Sequence, residues 1–221
     1  MESLTYFFNT FVGLFVIVDP FAMVPVYLSM TERFSPAEQI ATRRKASLLA
    51  CVILLVFTFS GAQLFHFFGI TLGAFQIAGG ILLLLLGIAQ LNATRSRVRE
   101  NEEEEIMAKD DVAIFPLAMP LLAGPGAIST AILFAGTAES AFDMLLNASA
   151  VVAAIAVSYW VLKMAPLMYR ILGQTGLNVL TRVMGIILTA IAVQFILNGM
   201  TSSITGMIKE IMEVAVQHWP K

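Results

Sequence analysis

Asp19 is the only acidic or basic residue deep inside an apolar stretch of this chain, and Pro20 follows it directly. An ionised carboxylate in a hydrocarbon environment is expensive, and one that is kept there is by default functional. Asp is also a favoured helix N-cap and Pro a favoured first helical residue. Asp19-Pro20 therefore reads as the start of a fresh half-helix inside a longer span. Two roles stand open for the carboxylate: capping that half-helix, or touching a substrate, proton or cation.

The same proline spacing returns one hundred residues later. Pro20 and Pro25 lie in Phe15-Val-Ile-Val-Asp-Pro-Phe-Ala-Met-Val-Pro25, and Pro120 and Pro125 in Phe115-Pro-Leu-Ala-Met-Pro-Leu-Leu-Ala-Gly-Pro125. Each proline removes a backbone donor and clashes with the preceding turn, so both segments are expected to be broken twice near mid-membrane. Broken backbone survives in lipid only where protein buries it or where it lines a cavity. Paired interruptions in two halves of a membrane chain point to a transporter binding site.

In the second window Gly124 permits an unusual turn, Pro125 can open the next half-helix, and Gly126, Ser129 and Thr130 follow. The N–H groups at such a terminus suit a carboxylate, and the core offers no basic residue to compete for it. A kink whose freed carbonyls are satisfied by neighbouring helices is the plainer alternative. Gln76 and Gln194 are further candidates for lining the site, whereas Gln90 and Asn198 read as amides bonding across helices.

These residues need membrane helices to hold them. The chain of 221 residues is 58% hydrophobic and 13% charged, with a mean hydropathy of +0.85. Residues 46–68, 70–93, 112–138, 144–162 and 183–208 contain no Asp, Glu, Lys or Arg, and 3–31 contain only Asp19. A spanning helix takes about 20 apolar residues. The expected fold is all-α and polytopic, with six spans and the first and fourth broken. Glu2 is the only early charge, unlike the basic start of a cleaved signal, so the first span is expected to be retained.

The halves are 1–93 and 112–208, joined by a polar cytoplasmic linker, 94–111, and followed by an interfacial tail, 209–221. Gly80-Ile-Leu-Leu in the third span matches Gly185-Ile-Ile-Leu in the sixth. Three spans per half is an odd number, so the second half enters from the opposite face and the repeat is inverted. Arg33, Arg43, Arg44, Lys45, Arg95, Arg97, Arg99, Lys109, Lys163, Arg170 and Arg182 fall on one side; only Lys209 and Lys221 fall on the other. The positive-inside rule then puts both termini in the periplasm.

Other chemistries find no support. Cys51 is the only cysteine, which excludes an intramolecular disulfide. His66 and His218 fall near span ends without ligand partners, and no phosphate loop, HExxH motif or nucleophile elbow is present. The chain is not expected to be an enzyme, to carry a cofactor or metal, or to bind nucleic acid. Its expected partners are a small-molecule substrate, the lipid bilayer and a coupling proton or Na⁺; the oligomeric state stays open.

Four motifs resemble the MarC family of six-span bacterial inner-membrane proteins. They are Asp19-Pro20-x4-Pro25, Ile77-Ala-Gly-Gly80, the run from Pro116 to Thr130, and the run from Gln174 to Gly185. The likeness covers nearly the whole chain. It departs at Gln76, where relatives often carry Arg, and at Asp19, where several carry Asn. The resemblance implies a small-solute transporter, some relatives being regarded as carriers of neutral amino acids. A channel or lipid-carrier translocase, and a non-transporting assembly factor, are the alternatives.

Overall fold

The computed structural model describes residues 2–91 and 112–217. The linker 94–111, His218 and Trp219 lie outside them, as do the side chains of His66 and Lys209. The described residues are all-helical: α1 (Glu2–Val18), α2 (Pro20–Met30), α3 (Pro36–Phe68), α4 (Leu72–Leu91), α5 (Ala113–Leu122), α6 (Pro125–Gly136), α7 (Ala141–Lys163) and α8 (Ala165–Gln217). Four stretches are long and apolar enough to cross a membrane: Leu4–Met30, Leu72–Leu91, Ala141–Lys163 and Ala165–Ile208. The pair α5 and α6, bent by 54° at its break, makes a fifth. α3 begins with polar turns and continues into the charge-free run 46–68.

Helix ends follow local chemistry. Ser35 and Glu38 cap α3 reciprocally: Ser35 N donates to Glu38 Oε2 at 2.7 Å, and Glu38 N to Ser35 Oγ at 3.3 Å. Hydrogen bonding from the Ser35 side chain and from its backbone N–H holds the exposed Glu38 carboxyl below its ordinary pKa. Ser140 and Asp143 form the same capping box on α7, an arrangement that satisfies two orphan amides at once. The stretch expected to connect the fifth and sixth spans is helical instead, because α8 already starts at Ala165. Its one break is Gly173, at φ 62° and ψ −178°, a conformation open essentially to glycine alone.

The closest packing joins α4 and α8, which run antiparallel. Gly73 faces Gly199, Gly80 faces Ala192, and Gly87 faces Gly185; a Cβ on Gly80 would stand 2.8 Å from the Ala192 carbonyl oxygen. All three contacts on each helix repeat every seven residues, so one stripe of small residues stays in register along both helices. Lipid tails are as apolar as Leu, so burial alone does not drive such a pair together in a membrane. Close backbone approach and dispersion do.

α1 and α6 are also antiparallel. Tyr6 Oη donates to the Phe134 carbonyl at 2.6 Å, and a Cβ on Gly13 would meet the Phe134 ring at 3.0 Å. Further along, Ile17 of α1 reaches Gly126 at the start of α6.

Candidate functional site

The first break is a single residue wide. Asp19 adopts a left-handed conformation, φ 47° and ψ 61°, between α1 and α2. Asp tolerates this region better than most residues because its short polar side chain can bond locally. Here Ala22 N donates to Asp19 Oδ1 at 3.3 Å, which makes Asp19 the N-cap of α2. Pro20 occupies the first turn, where its missing N–H would have had no helical partner. The expectation of a second break at Pro25 is wrong. α2 continues through Pro25 to Met30; the hydrogen bond this proline removes does not end the helix.

The other carboxylate oxygen faces a distant helix. Gln90 Nε2, on α4, donates to Asp19 Oδ2 at 2.8 Å. Asp19 is 4% exposed, so both its oxygens are held in protein. Gln90 Oε1 is buried with no hydrogen-bond partner. Gln90 bonds across helices, as expected of a membrane amide; that its partner is Asp19 was not legible in the sequence. The only signal for its role was an amide near the end of an otherwise apolar span.

The second break is spread over more residues. Phe115 and Met119 have extended dihedrals inside α5, as residues before proline prefer. The backbone is wound wide there: Leu117 N reaches Val112 O at 3.4 Å and Ala123 N reaches Ala118 O at 2.8 Å. Pro116, with Pro120, therefore shapes this span. Ala123 and Gly124 are non-helical, and Pro125 opens α6. Gly124 supplies no side-chain cap, so the first amides of α6 at Gly126 and Ala127 have no side-chain acceptor.

α4 and α1 close around that helix start. A Cβ on Gly126 would run into Leu83 and would come within 3.3 Å of Ile17. One turn on, Ser129 packs against Gly79, whose Cβ would stand 3.1 Å from Ser129 Oγ. Thr130 is fully buried, and its hydroxyl donates to the Gly126 carbonyl at 2.8 Å. The structure thus sets both breaks along one helix, α4: Gln90 meets Asp19, Leu83 meets Gly126 two turns away, and Gly79 meets Ser129 one turn beyond.

Two expected lining residues stand elsewhere. Gln194 is exposed on α8, where its Nε2 donates to Asn198 Oδ1 at 2.7 Å. Gln76 packs its Cβ against Gly199, and its Oε1 is buried without a partner. It lies within a turn of Gly79 but packs toward α8, and it stands four turns of α4 from Gln90, about 21 Å at 1.5 Å per residue. The assumption that the core holds no basic residue is also corrected: Arg43 is only 6% exposed. Its position among Arg44 and Lys45 made it read as a loop residue. Among the described residues no group of three His, Cys, Asp or Glu could hold a metal ion.

The architecture has a counterpart among known sequences. A UPF0056 membrane protein of Aquifex aeolicus is 39% identical over 88% of this chain and 92% of its own length. UPF0056 membrane protein YhcE of Escherichia coli is 36% identical over 91% of this chain and 95% of its own. A UPF0056 membrane protein of Methanocaldococcus jannaschii is 38% identical over 91% and 99%, so the similarity extends to archaea. No solved structure gives a significant match. The family model described as MarC family integral membrane protein matches residues 4–204, and with its two interrupted spans the chain belongs to that family.

Proposed function

We propose that this protein is a secondary transporter of a small solute, with small neutral amino acids as the substrate class, working by alternating access around its two broken helices. The observation that carries the reading is the approach of the two breaks: a Cβ on Gly126, beside Pro125, would come within 3.3 Å of Ile17, two residues before Asp19. Irregular backbone at membrane depth is tolerated around a cavity or within protein, and half-helix ends are the usual ion and substrate sites of such carriers.

In this reading the uncapped amides of Gly126 and Ala127 hold the substrate carboxylate, assisted by Ser129. Thr130 is the weaker partner because its hydroxyl already donates within α6. Asp19 faces the substrate amino group or a coupling proton or Na⁺, with Gln90 holding one of its oxygens. Gln90 Oε1 is left as a buried acceptor without a partner.

The reading includes six spans, counting the apolar part of α3, in two halves related by inversion. The antiparallel register of α4 on α8 supports this, since it sets Gly80-Ile-Leu-Leu and Gly185-Ile-Ile-Leu along oppositely directed helices. The antiparallel course of α1 and α6 supports it equally. The protein would reside in the inner membrane with both termini in the periplasm, as the distribution of basic residues argues.

The deciding experiment is uptake of labelled glycine, alanine, serine and threonine by proteoliposomes under imposed H⁺ or Na⁺ gradients. Concentrative uptake with counterflow supports the carrier. Gradient-independent flux without counterflow would indicate a channel, and the absence of any flux would remove the transport reading.

A further inference from the structure

Arg43 lies two turns into α3 and is buried, as is Ser47 one turn further on; each is 6% exposed. Residues four apart share a helix face, so the two side chains project in the same direction. The Nε of Arg43 and the Oγ of Ser47 are both buried without a hydrogen-bond partner. The guanidinium sits 4.9 Å from the centre of the Tyr159 ring on α7 and is within hydrogen-bonding reach of the Tyr27 hydroxyl on α2. That hydroxyl donates to the Gln39 carbonyl at 3.2 Å. No acidic side chain pairs with Arg43 among the described residues.

A guanidinium is always charged, and burying it without an opposite charge is costly. Stacking on Tyr159 offsets only part of that cost. The unpartnered Nε belongs to a planar fork whose geometry matches a carboxylate or phosphate, and the unpaired Ser47 hydroxyl adds another donor on the same face. Tyr27 is eight residues along α2 from Asp19, about 12 Å at 1.5 Å per residue. The cluster is therefore separate from the paired helix breaks and lies toward the end of the bundle that carries Lys163.

We propose that Arg43 and Ser47, between Tyr27 and Tyr159, form a binding site for an oxyanion head, carboxylate or phosphate, supplied from outside the chain. This site does not depend on the transport reading. Its ligand is either a free solute or the headgroup of an anionic phospholipid.

The test uses the full-length protein, purified in a neutral sugar detergent and stripped of lipid. In one arm, inorganic phosphate and acetate are titrated at constant ionic strength while the melting temperature is followed. In the other, retention of phosphatidylglycerol against phosphatidylcholine is counted by native mass spectrometry. A free-solute site gives a saturable rise in melting temperature with phosphate or acetate; a lipid site gives selective retention of phosphatidylglycerol instead. In either case R43Q should weaken binding at least about ten-fold, as expected for loss of a charged hydrogen-bonding partner. S47A should weaken it several-fold without abolishing it.

A wild-type protein silent in both arms overturns the proposal. So does a response that R43Q and S47A leave unchanged. Should R43Q fail to fold, S47A decides alone, and wild-type affinity in that variant rejects the site.

Discussion

The carboxylate of Asp19 and the amide of Gln90 meet at 2.8 Å, joining the break in the first span to the far end of α4. The pair holds a half-helix start and a distant helix in one fixed relation. Removing either partner strands a buried polar group, which costs about 1–3 kcal/mol. Gln90→Leu should therefore lower the unfolding free energy in mixed micelles by that amount. A Gln90→Leu change that leaves stability and uptake untouched would show the contact to be incidental.

Asp19 itself separates charge from hydrogen bonding. Asp19→Ala should abolish uptake, whereas Asp19→Asn should keep part of it if the cap to Ala22 N and the contact with Gln90 matter more than charge. Uptake by Asp19→Asn that is still driven by a proton gradient would exclude this carboxyl as the proton carrier. Wild-type uptake by Asp19→Ala, at equal amounts of folded protein, would reduce Asp19 to a dispensable cap.

Gly126 tests whether the two breaks must touch. An added Cβ overlaps Leu83 and crowds Ile17, and overpacking of this kind typically costs about 1–3 kcal/mol. Gly126→Ala should impair uptake, and Leu83→Ala in the same molecule should restore part of it by opening the space. Full activity of the single variant would mean that α6 can move away from α1 and α4 freely.

The α4–α8 stripe offers a matched control. At Gly80 a side chain would strike the Ala192 carbonyl and Ile196, whereas a Cβ on Gly206 meets nothing within 4 Å. Gly80→Val should lower stability by roughly 1–3 kcal/mol through forced backbone separation, and Gly206→Ala should leave it nearly unchanged. Equal effects at both positions would argue against tight packing of these helices.

Topology can be read by cysteine labelling on a background lacking Cys51. A single cysteine at Asn101, in the linker, should resist an impermeant reagent in intact cells and react after the cells are opened. Ready labelling from outside would reverse the proposed orientation.

What the sequence determined by itself was local. Charge-free runs of about 20 residues can be stable only in lipid or a very large core, so membrane-crossing helices were legible without coordinates. Asp19-Pro20 and Gly124-Pro125 were legible as helix starts because capping and the missing proline N–H act within a turn. Pro25 was misread for a related reason: a proline forbids one hydrogen bond, but whether the helix stops there depends on what surrounds it. Tertiary structure decided the rest. Gln90 became the partner of Asp19, Gln194 turned outward and Arg43 turned inward because helix rotation and register are set by which faces pack. Those faces are chosen by small-residue stripes such as Gly73, Gly80 and Gly87 against Gly199, Ala192 and Gly185. In spans where nearly every residue is apolar, hydrophobic periodicity no longer marks the inner face, so only close packing could reveal it.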